Sequence, residues 1–240
     1  MADSLQGREI VLAGGSGGIG SVVAAMLALE GARLVISYRS NRERADRLRG
    51  VAQIVQADFA AEDDRKRLLD AAPQLYGLVV LAGDPARVPA GGDPYEVMIR
   101  SHEVNYLGPA LLAREAAERM KTSGTAGTIV LIGTMQAVAL FPGSNAYAAQ
   151  KAALVHAARI LAKECRSPAK IRVNVVCPGI TATGMAEASI ASGKYDRYLQ
   201  EGFIHRFGRA EDVARAVRFF LEPDNYVTGQ VLSVDGGITL

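Results

Sequence analysis

The stretch AGGSGGIG, residues 13–20, decides how this chain is read. It follows a short apolar run at 10–13 and leads directly into a helical pattern at 19–30. A phosphate needs backbone N–H donors and close approach, which side chains obstruct and glycine permits. Gly14, Gly18 and Gly20 stand at the turn and at the helix start, where the helix dipole favours negative charge. Ser16 and Ile19 are grouped with them as ligand contacts. The spacing is G-x-x-x-G-x-G rather than the G-x-G-x-x-G of the commoner dinucleotide fingerprint, and a plain tight turn is the competing reading of the loop alone.

Outward from this loop the same alternation repeats. Short apolar runs at 33–37, 51–56, 78–82, 128–132, 172–176 and 231–234 are apolar on both faces, as buried parallel strands are. Helical patterns at 42–48, 62–71, 95–120, 146–164 and 211–221 fall between them. The alternation predicts an α/β fold: a Rossmann-type, doubly wound sheet of about seven parallel strands with helices on both faces. No linker or compositional break divides residues 1–240, so one domain is expected.

Composition narrows the functional classes. With 49% apolar and 22% charged residues the chain is not a disordered one. Lys and Arg number 27 against 25 acidic residues, so no broad basic field invites nucleic acid or an anionic membrane. Cys165 and Cys177 lack C-x-x-C spacing and the three histidines are scattered, so no metal site is expected and a reducing compartment is. The polar opening MADSLQGREI, with Asp3, is unlike a secretory leader. The charge-free run 10–29 holds five glycines, poor material for a spanning helix. The expectation is a cytoplasmic protein.

The second strand ends in LVISYRSN, without the carboxylate that would accept bonds from ribose hydroxyls in an NAD site. Arg39, with Ser40 beside it, stands there instead and suits a 2′-phosphate. The arginines from Arg42 onward alternate with Glu43 and Asp46 and read as a solvated helix face. NADP(H) is therefore favoured as cofactor over NAD(H).

Within LIGTMQAVALFPGSNAYAAQK, residues 131–151, Tyr147 and Lys151 are i,i+4 and share a helix face. A nearby ammonium stabilises a phenolate, making tyrosine a usable acid–base group. Thr134 closes the fifth strand, at the sheet edge where open α/β folds bind ligands. Each feature alone is commonplace; their conjunction with the glycine loop is not.

These motifs together resemble the short-chain dehydrogenase/reductase family along nearly the whole chain. Residues 13–20 are similar to that family's T-G-x-x-x-G-x-G loop, Tyr147 and Lys151 to its catalytic pair, and Thr134 to its usual serine. The resemblance implies that Asn105, in HEVNYLG, kinks a long helix and holds a proton-relay water. It implies that Asp58 and Phe59 lie beside adenine, and Ala82 and Gly83 beside ribose. It implies that Pro178, Gly179, Thr181 and Thr183 hold the nicotinamide end. Lys151 is expected to lower the tyrosine pKa. The activity so implied interconverts a ketone and a secondary alcohol, with a small-molecule carbonyl or alcohol as substrate. The C-terminal segments resemble 3-oxoacyl carrier-protein reductases most.

The chain departs from the family pattern where Val80-Leu81-Ala82-Gly83 replaces Asn-Asn-Ala-Gly, and where Gly17 stands in place of a basic residue common among NADP users. A catalytically silent cofactor-binding sensor or scaffold is the alternative function, opposed by the retained Tyr147, Lys151 and Asn105. Residues 184–208, with Met185, Tyr195, Tyr198, Leu199 and Phe203, are expected to form a lid over the substrate. Small residues on the two long helices, including Ala110, Leu111, Leu112, Ala116, Ala117, Ala153, Leu154, Ala157, Ala158 and Leu161, suggest subunit packing; a homotetramer is expected.

Overall fold

Strands that are short, β-branched and apolar on both faces must be covered twice, and here they are. The structure, a computed structural model, describes residues 5–89 and 91–240; Asp3 and the expectation built on it lie outside these. The strands β1 (Glu9–Ala13), β2 (Arg33–Tyr38), β3 (Ala52–Gln56), β4 (Leu75–Val80), β5 (Thr128–Ile132), β6 (Arg172–Pro178) and β7 (Val231–Val234) form one sheet in the order β3-β2-β1-β4-β5-β6-β7. Every pairing is parallel.

Alternate side chains along each strand feed two cores. Ile10, Leu12, Val79 and Val130 pack against α1 (Gly18–Leu29) and α9 (Ala210–Leu221), through Val23, Leu27, Val217 and Phe220. Val11, Leu78, Val80 and Leu131 pack against α3 (Glu62–Asp70), α5 (Gly108–Thr122) and α6 (Asn145–Glu164), through Leu68, Leu112, Ala116 and Leu154. Burying each of the larger side chains stabilises the fold by roughly 1.5–3 kcal/mol. Leu112, Ala116, Ala117, Leu154, Ala158 and Leu161 are all buried in this core, so they face the sheet rather than a subunit interface. Of the small and apolar residues read as interface, Ala110, Leu111, Ala153 and Ala157 remain partly exposed.

The helix expected over 95–120 is broken. It comprises α4 (Pro94–His102), a π turn at Glu103–Leu107, and α5. Pro109 has no N–H for the carbonyl of Asn105, four residues back, and its ring crowds that carbonyl, so the wider turn falls here. Between β2 and β3 lies the short α2 (Arg42–Asp46), and α7 (Glu187–Ala191) and α8 (Asp196–Gln200) lie within the expected lid. Among the described residues no helix is long and apolar enough to cross a membrane.

The chain runs outward from β1 to β3, then returns to the other side of β1 to form β4. That reversal opens a crevice at the carboxyl ends of β1 and β4, where open α/β sheets bind ligands.

Candidate active site

A groove of about 620 Å³ occupies this crevice. Its floor is the glycine loop. Gly14 has φ +77°, a left-handed conformation, and a Cβ there would lie 2.9 Å from the Ala82 backbone. Its N–H donates to the buried Ser37 hydroxyl at 2.9 Å, a support that sequence reading missed. A Cβ on Gly20 would lie 2.4 Å from the Gly15 carbonyl oxygen, so this glycine serves helix–strand packing as much as ligand approach. α1 starts from Gly17 with no side-chain cap, which leaves its first-turn N–H groups facing the groove with Ser16, Gly18 and Ile19.

One end of the groove is basic. Arg39, Ser40, Asn41 and Arg44 line it, opposite Asp58 and Phe59. The Asn41 side chain caps α2 by accepting from the Arg44 N–H at 2.9 Å, fixing the turn that brings Arg44 beside Arg39. Arg42 pairs with Asp46, Arg47 with Glu43 and Arg49 with Asp46, as a solvated face does. Among the described residues no carboxylate pairs with Arg39 or Arg44. Arg44 is exposed, as a solvated face expects, and it also lines the groove, a place the sequence reading did not give it. Buried Arg65 on α3 secures the opposite wall, donating to the Phe59 carbonyl at 2.8 Å and pairing with Glu115 on α5 at 2.9 Å.

Thr134, Tyr147 and Lys151 meet at the other end. Thr134 lies two residues beyond β5 and caps a short 3-10 turn, its hydroxyl accepting from the Gln136 N–H at 3.4 Å. Its side chain stands beside Tyr147 and draws that hydroxyl's pKa downward. Lys151, one helical turn after Tyr147, is buried and donates to the carbonyls of Ile132 at 2.9 Å and Ala82 at 3.3 Å. Burial brings the Lys151 ammonium down to about 8. Burial also pushes the Tyr147 hydroxyl up to about 12, against a pull downward from Thr134. The expected lowering by Lys151 is not among the influences that set Tyr147, of which desolvation is the largest. Cys177 on β6 lies below this group, its thiol raised to about 11 by burial.

Asn105 sits in the π turn and is fully buried, behind the groove wall rather than in it. Its Oδ1 accepts from the Asp84 N–H at 2.9 Å, and its Nδ2 donates to the Asp84 carbonyl and the Ser101 hydroxyl, each at 2.9 Å. These contacts make it the anchor of the chain leaving β4. They also explain why β4 ends at Val80 and not at 82: the Ala82 carbonyl belongs to Lys151 and the Asp84 peptide to Asn105.

The remaining wall follows β6. Pro178, Gly179, Thr181 and Thr183 line the groove with Ala82 and Gly83 across from them. Gly179 is glycine because a Cβ would lie 2.6 Å from Asp235 Cα, and Gly18 because one would lie 1.9 Å from Thr183 Oγ1. Thr181 forms an isolated parallel bridge with Gly208, so both ends of the intervening segment are stitched together. Met185, just inside it, also lines the groove, with Gly184 and Ala186 on either side.

A family profile described as enoyl-(acyl carrier protein) reductase matches residues 13–239. The chain is 34% identical to an NADPH-dependent aldehyde reductase-like chloroplastic protein of Arabidopsis thaliana, over 97% of this chain and 94% of that one. It is 35% identical to a 3-oxoacyl-[acyl-carrier-protein] reductase of Rattus norvegicus, over 95% and 96% respectively. Among solved structures, a 7α-hydroxysteroid dehydrogenase complexed with NADH and a 7-oxo bile acid superposes with a TM-score of 0.89 at 29% identity, covering 98% of this chain and 96% of that one.

Proposed function

Because this chain belongs to the short-chain dehydrogenase/reductase family, and is an oxidoreductase of that kind, we propose that it interconverts a ketone and a secondary alcohol using NADP(H). One observation carries the reading: Tyr147, one turn from buried Lys151 and lining the same groove as Thr134, faces the cleft whose floor is the glycine loop.

The residues present fit a dinucleotide. The uncapped start of α1 offers N–H donors for a pyrophosphate, and the glycines leave room for it. Asp58 and Phe59 would flank adenine, Ala82 and Gly83 a ribose, and Pro178, Gly179, Thr181 and Thr183 the nicotinamide. Arg39 and Arg44, without carboxylate partners, would take a 2′-phosphate; this favours NADP(H), although relatives use both forms.

The chemistry supplied by bound NADP(H) is hydride donation or uptake. Thr134 and Tyr147 polarise the substrate carbonyl through their hydroxyls. Tyr147, protonated at neutral pH, gives its proton to the carbonyl oxygen in reduction, and in its ionised form takes one from the alcohol in oxidation. Lys151 holds the ends of β4 and β5 in register beneath it. Met185, exposed and lining the groove, suits an apolar carbonyl compound, and a 3-oxoacyl thioester is within this class. A cytoplasmic homotetramer is part of the same reading, and a sedimentation experiment showing only 25.4 kDa species would end it.

Fluorescence titration with NADPH and NADH tests the proposal first. NADPH should bind more tightly, and binding of neither would sink the reading. A panel of ketones and 3-oxoacyl thioesters then assigns the substrate.

A further inference from the structure

The segment after β4 does more than border the groove. Asp84 is held on its backbone by Asn105 and through its carboxylate by Arg100 at 3.1 Å. The same carboxylate accepts from the Ala86 N–H at 2.6 Å, and Ala86 is a non-glycine residue at φ +48°. A strained backbone persists only where its surroundings over-determine it. Its effect here is to aim the next side chain, Arg87, at the segment across the groove. One nitrogen, Nη2, donates to the Met185 carbonyl at 3.1 Å and to the Ser189 hydroxyl at 3.0 Å. Ser189 is buried although α7 is short and peripheral.

The region Arg87 grips begins at Gly184, with φ +58°, directly after the Thr183 that covers Gly18. Met185 reaches the cofactor side: a Cβ on Gly83 would lie 3.1 Å from its terminal methyl. A glycine with left-handed φ before a gripped turn is where a segment can swing, and the grip decides whether it does.

We propose that Arg87 is a positioning residue that latches the first turn of the 184–208 segment over the groove and so slows exchange of the bound dinucleotide. The identity of that ligand rests on the functional reading above; the latch itself does not. Arg87 connects, through Asp84 and Asn105, to the strand end that Lys151 also holds, so the segment is referenced to the reacting end of the site.

Two measurements on the full chain test this. Limited trypsin digestion without cofactor reads access to Lys194 and Arg197, both exposed in the segment. Stopped-flow displacement of NADPH reads its release. Arg87→Ala should speed cleavage at both sites and raise the release rate about three- to tenfold, the range for one charge-assisted bond that is partly solvated. Arg87→Lys should recover part of each effect. Ser189→Ala should give a smaller change that adds nothing to Arg87→Ala, and serves if Arg87→Ala does not fold. Unchanged cleavage in Arg87→Ala and Ser189→Ala overturns the latch. Faster cleavage with unchanged release overturns its control of exchange. If the parent chain binds no dinucleotide, the functional reading fails, while the digestion still decides the latch.

Discussion

Lys151, on α6, donates to the carbonyl oxygen of Ile132, the last residue of β5, at 2.9 Å. The bond ties the helix that carries Tyr147, the proposed acid–base group, to the strand that leads to Thr134, two residues further on. Its donor is a buried cation, and burial has a consequence for pH. With its pKa depressed from 10.5 to about 8, the folded protein holds fewer protons than the unfolded chain between those values. Stability should therefore rise with pH across that window as the cost of the buried charge is relieved.

Lys151→Met removes that dependence. Urea denaturation at intervals from pH 7 to pH 10 should show the parent gaining stability relative to the variant, by up to ~3 kcal/mol. Parallel curves would mean that Lys151 is not depressed. Turnover by the variant should be lost at every pH.

Tyr147→Phe should lower turnover by roughly 10²–10⁴-fold while leaving NADPH affinity intact, the expected loss for one general acid. Alcohol oxidation needs the ionised hydroxyl, which burial makes scarce, so its rate should climb with pH from 7 to 9 while ketone reduction stays flat. Thr134→Val removes the hydroxyl that draws the tyrosine down, and should move the oxidation profile to higher pH. Thr134→Ser should restore it. Steady-state rates in both directions across pH check all of these.

Arg44→Ala should weaken NADPH binding about tenfold and leave NADH binding unchanged, with Arg39→Ala behaving alike, as loss of a charge-assisted bond to phosphate predicts. Equal losses for both dinucleotides in either variant would remove the 2′-phosphate assignment. Titrations at two salt concentrations should show the NADPH term alone weakening with salt.

Asn105→Ala leaves the buried Asp84 peptide without partners, at a cost of about 2 kcal/mol. For a chain of this size that is a fall of about 4–8 °C in melting temperature. Thermal denaturation measures it, and a variant that melts with the parent would contradict the anchoring role.

The sheet was legible because its signals are local. Each strand carries its own β-branched run, and the turn at 13–20 announces itself by residue type. Tyr147 and Lys151 were legible for the same reason, being one helical turn apart. Contacts between distant segments were not: nothing near Asn105 points to Asp84, and nothing near Arg65 points to Glu115. Alanine was misleading on α5 and α6 because it suits a sheet-facing surface and a subunit interface equally well. Two misses did leave a trace. Pro109 marks the break in the long helix, four residues after the carbonyl it cannot serve. Arg44 has no acid three or four residues away on either side, whereas Arg42, Arg47 and Arg49 each have one and use it.

The bridge between Thr181 and Gly208 makes the intervening stretch a side excursion from the sheet rather than a part of it. Its two ends leave and return at one point, so its length and composition can change with little effect on the seven strands: doubling such a loop costs only about 0.6 kcal/mol of closure entropy. On the proposed reading, in which this excursion meets the substrate, it and the glycine-loop half of the molecule are free to diverge at different rates. A graft of this excursion from a relative onto the present scaffold is the natural route to exchanging one carbonyl preference for another.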